Sequence, residues 1–304
     1  MANKIIFVTG ANGQLGREMQ VIATTYPAYN FLFVTREELP IDDIALVQTY
    51  FDTHSFDVCV NCAAYTAVDK AEAEIEKANA INGTAVGNLA ALCKQYNVLF
   101  IHVSTDYVFD GTATMPYKTN HPVSPVNAYG ASKLLGEELA LKNNPAAIII
   151  RTSWVYSSFG NNFVKTMMRL MKDRDSLNVV ADQEGCPTYA ADLASAIMQI
   201  VEQPSTTLNH LQQPSTTSNN LQPSSTLFHY SNKGAINWHQ FAVAIKEISG
   251  SNCVVNPIPS SQYPTPAKRP GYSVMDTSKI EETFHINIPE WRDSLQKCMA
   301  ILAQ

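Results

Sequence analysis

Two residues one helical turn apart, Tyr129 and Lys133, could deliver a proton to a substrate. A ketone that accepts a hydride needs a proton at its oxygen, and tyrosine can supply it if its pKa falls from about 10 toward neutrality. A lysine four residues later faces the same side of a helix, and its charge stabilises the phenolate. Thr105, after a predicted strand, would orient the substrate carbonyl. These are candidate catalytic residues, although Tyr129 and Lys133 alone also fit an exposed helix pair.

Three glycines, Gly10, Gly13 and Gly16, follow an apolar segment at 5–9 and lead into a predicted helix. Glycine lets a backbone turn sharply, approach a pyrophosphate and pack a helix closely on a sheet. The helix N-terminus then favours the phosphates. This position between strand and helix indicates dinucleotide binding rather than a purely structural turn. The predicted binding segment consists of Gly10, Asn12, Gly13, Gln14, Leu15 and Gly16.

Thr35 and Arg36 follow the second predicted strand. An acidic residue at this position would bind the ribose 2′-hydroxyl of NADH, but this chain has none there. A guanidinium binds phosphate bidentately, so we favour NADPH over NADH, with an exposed loop arginine as the structural alternative. Lys133 can also bind the cofactor ribose. After the third strand, small residues would let the nicotinamide half approach closely. The rest of the predicted cofactor site is Ala63, Ala64, Tyr65, Thr66, Tyr129 and Lys133.

The composition limits the class of protein. The chain has 304 residues, 45% of them hydrophobic, which is enough for a substantial core. Its net charge of -6 does not favour nucleic-acid binding, which needs clustered Lys and Arg. No apolar run approaches the ~20 residues that span a bilayer, and the first residues predict a strand rather than a signal peptide. We therefore expect a cytoplasmic protein that binds small molecules, without a nucleic-acid or membrane partner.

Cys59 and Cys62 have C-x-x-C spacing, which would suit a redox or zinc site. No second ligand pair follows at zinc spacing, and the segment 58–64 predicts a buried strand that runs into a turn. We interpret all six cysteines as reduced thiols and predict no metal ligands.

The elements that would position these residues alternate between short β-branched runs and longer amphipathic segments. This pattern predicts an α/β fold, a Rossmann-type doubly wound parallel sheet with a smaller C-terminal α/β substrate-binding domain. Predicted strands lie at 4–9, 31–34, 57–61, 98–103, 147–151 and 227–231, with a short apolar piece at 177–180. Predicted helices lie at 14–24, 43–53, 77–95, 127–142, 161–172, 190–202, 237–248 and 289–303, and a Pro-rich stretch at 257–270.

The predicted dinucleotide-binding domain spans 1–155. Returning segments near 177–202 and 227–250 would complete it, and 156–304 would form mainly the substrate-binding part. Residues 203–226 carry an imperfect repeat of about ten residues, Gln-Pro-Ser-Thr/Ser-Thr. The repeat is too short and polar for a solenoid, so we predict a low-complexity surface insertion.

Several longer segments carry a family resemblance. They are Thr9 to Gly16, Asn61 to Glu72, Ser104 to Gly111, Asn127 to Lys133, Arg151 to Tyr156, Gly160 to Phe163, and Arg269-Pro270. Taken together, they resemble the extended short-chain dehydrogenase/reductase superfamily and, within it, the dTDP-4-dehydrorhamnose reductase family. The resemblance covers nearly the whole chain apart from 203–226.

The resemblance implies NAD(P)H-dependent reduction of the 4-keto group of dTDP-4-dehydro-L-rhamnose, in the synthesis of a cell-surface polysaccharide precursor. It makes Tyr129 the proton donor, Lys133 its partner and Thr105 the third member of the triad. The implied contacts to the sugar nucleotide are Thr105, Asp106, Trp154, Asn162 and Arg269, the last in the loop from Pro264. The alternatives are another nucleotide-deoxysugar 4-ketoreductase or epimerase, or a non-catalytic NADP-binding regulatory subunit like that of methionine adenosyltransferase.

Two positions depart from the family pattern. Family members commonly have an acidic residue in the stretch that matches 39–42, where this chain has Pro40, so contacts on the adenosine side should differ. Some members dimerise through Mg²⁺ held by glutamates. Glu18 matches one ligand, but the other position falls at Ala191, beside Asp192. We therefore expect no Mg²⁺-dependent dimer and favour a monomer, with a homodimer as the alternative.

Overall fold

The computed structural model describes residues 4–204 and 226–304. Strands are numbered here in chain order. They are β1 (Lys4–Thr9), β2 (Tyr29–Val34), β3 (Val58–Asn61), β4 (Leu99–Thr105), β5 (Ile148–Thr152), β6 (Val155–Tyr156), β7 (Ser176–Val180), β8 (Glu184–Gly185), β9 (Thr188–Tyr189), β10 (Leu227–His229), β11 (Ile236–Asn237) and β12 (Val254–Ile258).

The helices cover these strands on both sides. They are α1 (Gln14–Ala23), α2 (Ile44–Thr53), α3 (Val68–Ala71), α4 (Ile75–Asn79), α5 (Ala85–Gln95), α6 (Ala128–Asn143), α7 (Phe163–Asp173), α8 (Ala190–Val201), α9 (Trp238–Ser249), α10 (Ser278–Phe284) and α11 (Trp291–Leu302). A π-helical turn at Ala80–Thr84 joins α4 to α5, and a 3₁₀ turn at Asp106–Val108 follows β4.

The main sheet has six parallel strands in the order β2-β1-β3-β4-β5-β10. Its strands are nearly continuous apolar runs because both faces are covered. One face packs on α1, α8 and α10, and the other on α2, α5 and α6. The predicted Rossmann-type fold is confirmed. Since all strands run in one direction, their carboxyl ends meet at one edge, where ligands bind in such folds.

A second cluster of buried residues forms the C-terminal layer, with Tyr156, Met167, Phe241 and Leu295 at its centre. Three two-stranded sheets border it: β7 with β12, β6 with β9, and β8 with β11. Its residues follow β5 in the chain and form the smaller α/β part that the sequence predicted.

The predicted strands and helices of the N-terminal half are confirmed to within a few residues, apart from one helix. The helix predicted at 77–95 is interrupted by the π-helical turn, where Asn82 hydrogen-bonds both backbone groups of Tyr65. The sequence analysis missed α3, α10 and the two-residue strands, which are too short to show periodicity. It also missed β12, which runs into the predicted Pro-rich stretch.

The returning segments divide between the two layers. Helix α8 packs on α1, and β10 pairs with β5, so both join the main sheet. Residues 177–180 pair instead with β12, and α9 lies in the C-terminal cluster. The predicted insertion at 203–226 lies almost wholly outside the described residues.

In the described part of the chain, no helix is both long and apolar enough to cross a membrane. Within the same ranges, no group of three or more His, Cys, Asp or Glu side chains could hold a metal ion. Glu18 hydrogen-bonds Ser157, and Asp192 accepts from Asn232 and Ser294. The six cysteines are free thiols, and burial raises the pKa of Cys62.

Candidate active site

The glycine-rich turn between β1 and α1 leaves no room for side chains at two positions. Gly10 has φ +67°, and a Cβ there would lie 2.6 Å from the backbone nitrogen of Ala63. A Cβ on Gly16 would lie 2.3 Å from the Gly10 carbonyl oxygen. Gly13 is the N-cap of α1. The turn therefore presses β1, β3 and the start of α1 together, as a pyrophosphate site requires.

A cleft of about 360 Å³ opens in front of this turn. The predicted cofactor residues that line it are Gly10, Asn12, Gly13, Arg36, Ala63, Ala64, Tyr65 and Thr66. Cys62, in the predicted segment after the third strand, also lines it, and the lining residues that were not among the predicted contacts are Glu37, Leu39, Ile41, Asp42, Ala67 and Ile81. The predicted residues that do not line it are Gln14, Leu15, Gly16, Thr35, Tyr129 and Lys133. Leu15 instead packs in the sheet core, and the Thr35 hydroxyl accepts from the Glu38 backbone.

Arg36 is exposed at the rim of the cleft, next to Glu37. Asp42 lines the same cleft, so an acidic side chain is present on this side after all, two residues beyond Pro40. The rim thus offers one cation and two carboxylates. A 2′-phosphate would be attracted by the first, and a free ribose hydroxyl could be bound by the others.

Thr105 ends β4 and caps the 3₁₀ turn that follows. Its hydroxyl donates to Asp106 Oδ1 at 2.9 Å and accepts from the Tyr107 backbone at 3.2 Å. Asp106 is buried, and its Oδ2 has no hydrogen-bond partner among the described residues. Burial raises the pKa of Asp106 to about 6, against the hydrogen bond from Thr105 that lowers it. A ligand that donates to Oδ2 would relieve this cost.

Tyr129 lies in the first turn of α6. The N-cap Asn127 accepts from the Gly130 backbone at 2.8 Å and donates to the Lys268 carbonyl at 2.8 Å. A Cβ on Gly130 would lie 2.2 Å from the Tyr107 carbonyl oxygen, so glycine allows α6 to approach the turn after β4. The sequence analysis expected a pKa that falls toward neutrality, but desolvation raises the pKa of Tyr129 to about 12, and the nearby Thr105 hydroxyl lowers it by less. The hydroxyl is therefore protonated at neutral pH.

Lys133 is 2% exposed, one turn after Tyr129. Its Nζ donates to the Val103 carbonyl at 2.7 Å and lies 3.2 Å from Nε2 of His102. Burial lowers the pKa of Lys133 to about 8, while Glu137 raises it. Thr105, Tyr129 and Lys133 therefore gather where β4 and α6 meet, and the Lys133 amino group is held by the strand.

A buried ion pair lies behind Lys133 on the same helix. Arg151 Nη2 is 2.6 Å from Glu137 Oε2, and both side chains are at most 4% exposed. The Ser104 hydroxyl also donates to Glu137. Glu137 thus connects α6 to Arg151 on β5 and to Ser104 on β4, and these contacts fix the position of the helix that carries Tyr129 and Lys133 relative to the sheet.

Trp154 has a left-handed backbone at φ +48°, which is strained for an aromatic residue. One face of its indole stacks on Trp238, with ring centroids 3.6 Å apart. A Cβ on Gly185 would lie 2.6 Å from the same ring. Trp154 is half-buried. The stack presents a fixed apolar surface at the junction of the two layers.

The two predicted nucleotide contacts, Asn162 and Arg269, are both held by internal bonds. Asn162 caps α7, and its amide donates to Gln14 Oε1 at 2.9 Å and to two backbone carbonyls. Arg269 Nη2 donates to Asp69 at 2.9 Å, while its buried Nη1 has no partner within the described ranges. Arg269 therefore keeps a free donor, and Asn162 ties the start of α1 to the C-terminal layer.

Asn82 is a further residue that the sequence analysis missed. Its amide accepts from the Tyr65 backbone at 2.8 Å and donates to the Tyr65 carbonyl and to Ser132 at 3.0 Å each. It thus joins the cleft to α6. The π-helical turn that places it is of a kind common at functional sites, but no periodicity in the sequence announces it.

The parallel sheet, the glycine turn and the Tyr-x-x-x-Lys helix beside β4 define a Rossmann-type protein of the short-chain dehydrogenase/reductase class. Residues 3–304 match the sequence profile described as RmlD substrate binding domain, and the chain belongs to this family. The family resemblance in the sequence is therefore confirmed.

Three relatives illustrate the match. The dTDP-4-dehydrorhamnose reductase of Aggregatibacter actinomycetemcomitans is 38% identical over 303 residues, which cover 97% of this chain and 98% of that protein. The structure of a dTDP-4-dehydrorhamnose reductase from Clostridium acetobutylicum has a TM-score of 0.89 at 37% identity and covers 99% of this chain and 100% of its own. The Bacillus anthracis enzyme, solved in complex with NADP, has a TM-score of 0.88 at 33% identity over 98% and 99%.

Proposed function

We propose that this protein catalyses the NAD(P)H-dependent reduction of the 4-keto group of dTDP-4-dehydro-L-rhamnose to dTDP-L-rhamnose. The observation that carries the proposal is the match to dTDP-4-dehydrorhamnose reductases over almost the full chain. The candidate residues for this chemistry, Thr105, Tyr129 and Lys133, lie together at the carboxyl edge of the sheet.

The cofactor site fits a dinucleotide. Gly10 and Gly16 form a cradle that a Cβ would fill, and the cleft continues along Ala63 to Thr66. When bound, a reduced nicotinamide cofactor supplies the hydride. We favour NADPH because Arg36 lies at the cleft rim and because NADP is bound in the Bacillus anthracis relative. Glu37 and Asp42 at the same rim keep NADH as the alternative.

The chain's own part in the reaction is to bind, orient and supply a proton. Tyr129 would donate its proton to the carbonyl oxygen, which it carries at neutral pH because burial keeps its pKa high. The Thr105 hydroxyl, next to Tyr129, would help to orient both the tyrosine oxygen and the substrate carbonyl. Lys133 would bind the cofactor ribose and place positive charge near the developing phenolate.

The sugar nucleotide would occupy the junction between the two layers. The Trp154 indole would pack against the apolar side of the deoxysugar, and its strained backbone marks a position held for function. The unpaired Oδ2 of Asp106 would accept from a sugar hydroxyl. The free Nη1 of Arg269 would bind the pyrophosphate.

The test is a product assay. Purified protein should oxidise NADPH, monitored at 340 nm, in the presence of dTDP-4-dehydro-L-rhamnose, and NMR should identify dTDP-L-rhamnose. Other 4-keto sugar nucleotides, supplied in parallel, test for a different ketoreductase or an epimerase. Binding of NADP without turnover of any of them would favour the regulatory-subunit alternative and reject the proposal.

We also propose a division at about residue 155 between cofactor and substrate parts, and a monomeric protein. The main sheet and the C-terminal cluster support the first proposal. Sedimentation equilibrium tests the second, since a homodimer would double the mass of 33.5 kDa.

A further inference from the structure

A row of three polar side chains crosses the main sheet beneath the active site. Thr9, Asn61 and His102 are paired in register on β1, β3 and β4, and each is at most 1% exposed. Two residues earlier, the same positions hold Phe7, Cys59 and Phe100, which pack in the core. Burying polar groups costs free energy unless each finds a partner. The change from apolar to polar side chains at this row therefore indicates that these residues have a specific role.

The hydrogen bonds along the row have a fixed direction. Asn61 Oδ1 accepts from the Ala63 backbone N–H at 3.2 Å and from the Thr9 hydroxyl at 2.6 Å. A backbone N–H can only donate, so this atom is the amide oxygen and the other is the nitrogen. Asn61 Nδ2 therefore donates to His102 Nδ1, which lies 2.9 Å away. Nδ1 must carry a lone pair.

His102 is consequently held in one tautomer. Burial keeps the pKa of His102 well below its usual range, so the ring is neutral, and Lys133 acts in the same direction. With Nδ1 unprotonated, the ring hydrogen is on Nε2, which faces Lys133 Nζ at 3.2 Å. An ammonium group has no lone pair to accept it, whereas a neutral amine has one.

We propose that His102 is a positioning residue for Lys133. Asn61 holds the His102 imidazole in the Nε2–H tautomer. This donor cannot accept a hydrogen bond from the Lys133 ammonium, so the ammonium donates to the Val103 carbonyl instead. The ammonium then meets one acceptor from the strand rather than two. The other hydrogens of the Lys133 ammonium stay available to a ligand, and the ammonium loses a proton more readily.

The surrounding charges act on the same amino group. Glu137, on the helix of Lys133, favours the ammonium, but Glu137 is itself paired with Arg151 from β5. Tyr129, also on α6, is protonated at neutral pH. Burial is the main cause that lowers the pKa of Lys133, and the neutral His102 ring on β4 presents a donor rather than an acceptor in direct contact with the amino group.

The tautomer can be measured in the cofactor-free protein by ¹⁵N NMR, because bare and protonated ring nitrogens resonate far apart. The chain has seven histidines, and loss of one signal set in His102→Gln assigns the residue. We expect a neutral ring with the hydrogen on Nε2 between pH 6 and 8. A hydrogen on Nδ1, or an imidazolium, would overturn the proposal.

A second variant reverses the lock. In Asn61→Asp the carboxylate still accepts from Ala63 and Thr9, but it also accepts from Nδ1–H, so Nε2 becomes an acceptor for the ammonium. We expect the ¹⁵N pattern to switch. NADPH affinity should fall at high pH, when Lys133 loses its proton. We expect the midpoint of this fall, measured by fluorescence titration, to rise by about one pH unit or more in Asn61→Asp.

The control is Asn178→Asp, which adds the same charge at an exposed position on β7. It should leave both the tautomer and the pH profile unchanged. An Asn61→Asp protein with the wild-type tautomer and profile contradicts the inference. The inference rests on the proposed function only in giving Lys133 a ligand. If the protein binds neither NADPH nor NADH, the proposed function fails, while the tautomer remains a separate test.

Discussion

Arg269 Nη2 lies 2.9 Å from Asp69 Oδ2, and this ion pair joins the last third of the chain to the cofactor-binding half. Asp69 Oδ1 also accepts from the Ala267 backbone at 3.2 Å. Asp69 lies in the short helix α3, which closely follows the cleft residues Ala63 to Thr66. These two contacts hold the loop that carries Arg269 beside the cleft. Among the described residues, the Arg269 Nη1 has no partner and could donate to an anion.

Asp69→Asn should loosen this loop and raise the KM for the sugar nucleotide about tenfold, which corresponds to ~1.4 kcal/mol. The free energy of unfolding should fall by no more than about 1 kcal/mol, because the Asp69 side chain is 42% exposed. Steady-state kinetics and urea unfolding measure the two effects. Glu247→Gln, which removes the exposed pair with Arg292, is the control and should leave KM unchanged. An equal KM in both variants would reject the role of Asp69.

Tyr129→Phe should lower kcat by about 10²- to 10⁴-fold, the usual contribution of a positioned proton donor. The dissociation constant for NADPH should change little, since only a hydroxyl is lost. Tyr26→Phe, before β2, is the matched control and should retain the wild-type rate. An unchanged kcat in Tyr129→Phe would remove this residue from the chemistry.

Arg36→Ala should weaken NADPH by about tenfold or more, the effect of one charge-assisted hydrogen bond, and should leave NADH nearly unaffected. Fluorescence titration with both cofactors measures the difference. Arg174→Ala, at the end of α7, is a control of equal charge. If both cofactors lose affinity equally in Arg36→Ala, the residue does not select the 2′-phosphate.

Glu137→Gln should lower the free energy of unfolding by about 3–5 kcal/mol, because it leaves the buried Arg151 without its counter-charge. Urea unfolding monitored by fluorescence measures the loss. The exposed Glu247→Gln should change it by about 0–1 kcal/mol. Similar losses in the two variants would mean that the buried pair has no special weight.

Asp106 gives the stability a dependence on pH. Burial raises its pKa from 3.8 to about 6 in the folded protein, so folding favours the protonated acid. Its stabilising contribution is full below about pH 4 and is lost as the pH rises through about 6. Asp106→Asn should therefore gain stability relative to the wild type as the pH rises from about 4 to about 6, by about 1.4 kcal/mol for each pKa unit of the shift. A constant difference in urea unfolding would contradict this.

The main sheet could be predicted because its strands are short runs of buried apolar residues that alternate with helices. Gly16 was predictable for a similar reason, because the backbone that excludes a side chain there belongs to the same strand-helix turn, whereas the contact of Gly10 with Ala63 is long-range and only the glycine spacing indicated it. The two-residue strands and the π-helical turn at Asn82 were not, since tertiary contacts rather than periodicity create them. They depend on residues far away in sequence, such as Ser132.

The orientation of Lys133 is a similar case. Helical spacing places it on the side of Tyr129, but His102 and Val103 on β4 determine what its amino group contacts. Asp42 shows the opposite error. Pro40 in the stretch 39–42 suggested that the acidic contact was lost, whereas the turn brings Asp42 of the same stretch into the cleft.

The sixth strand of the main sheet has a consequence for how the chain must be made. Until β10 emerges, β5 presents an open edge with Ile148, Ile149 and Ile150, a short, strongly apolar β-forming run. A chain released before residue 227 would carry that edge unpaired and should self-associate. We therefore expect the last third of the chain, through β10, to protect this edge of the first half from aggregation.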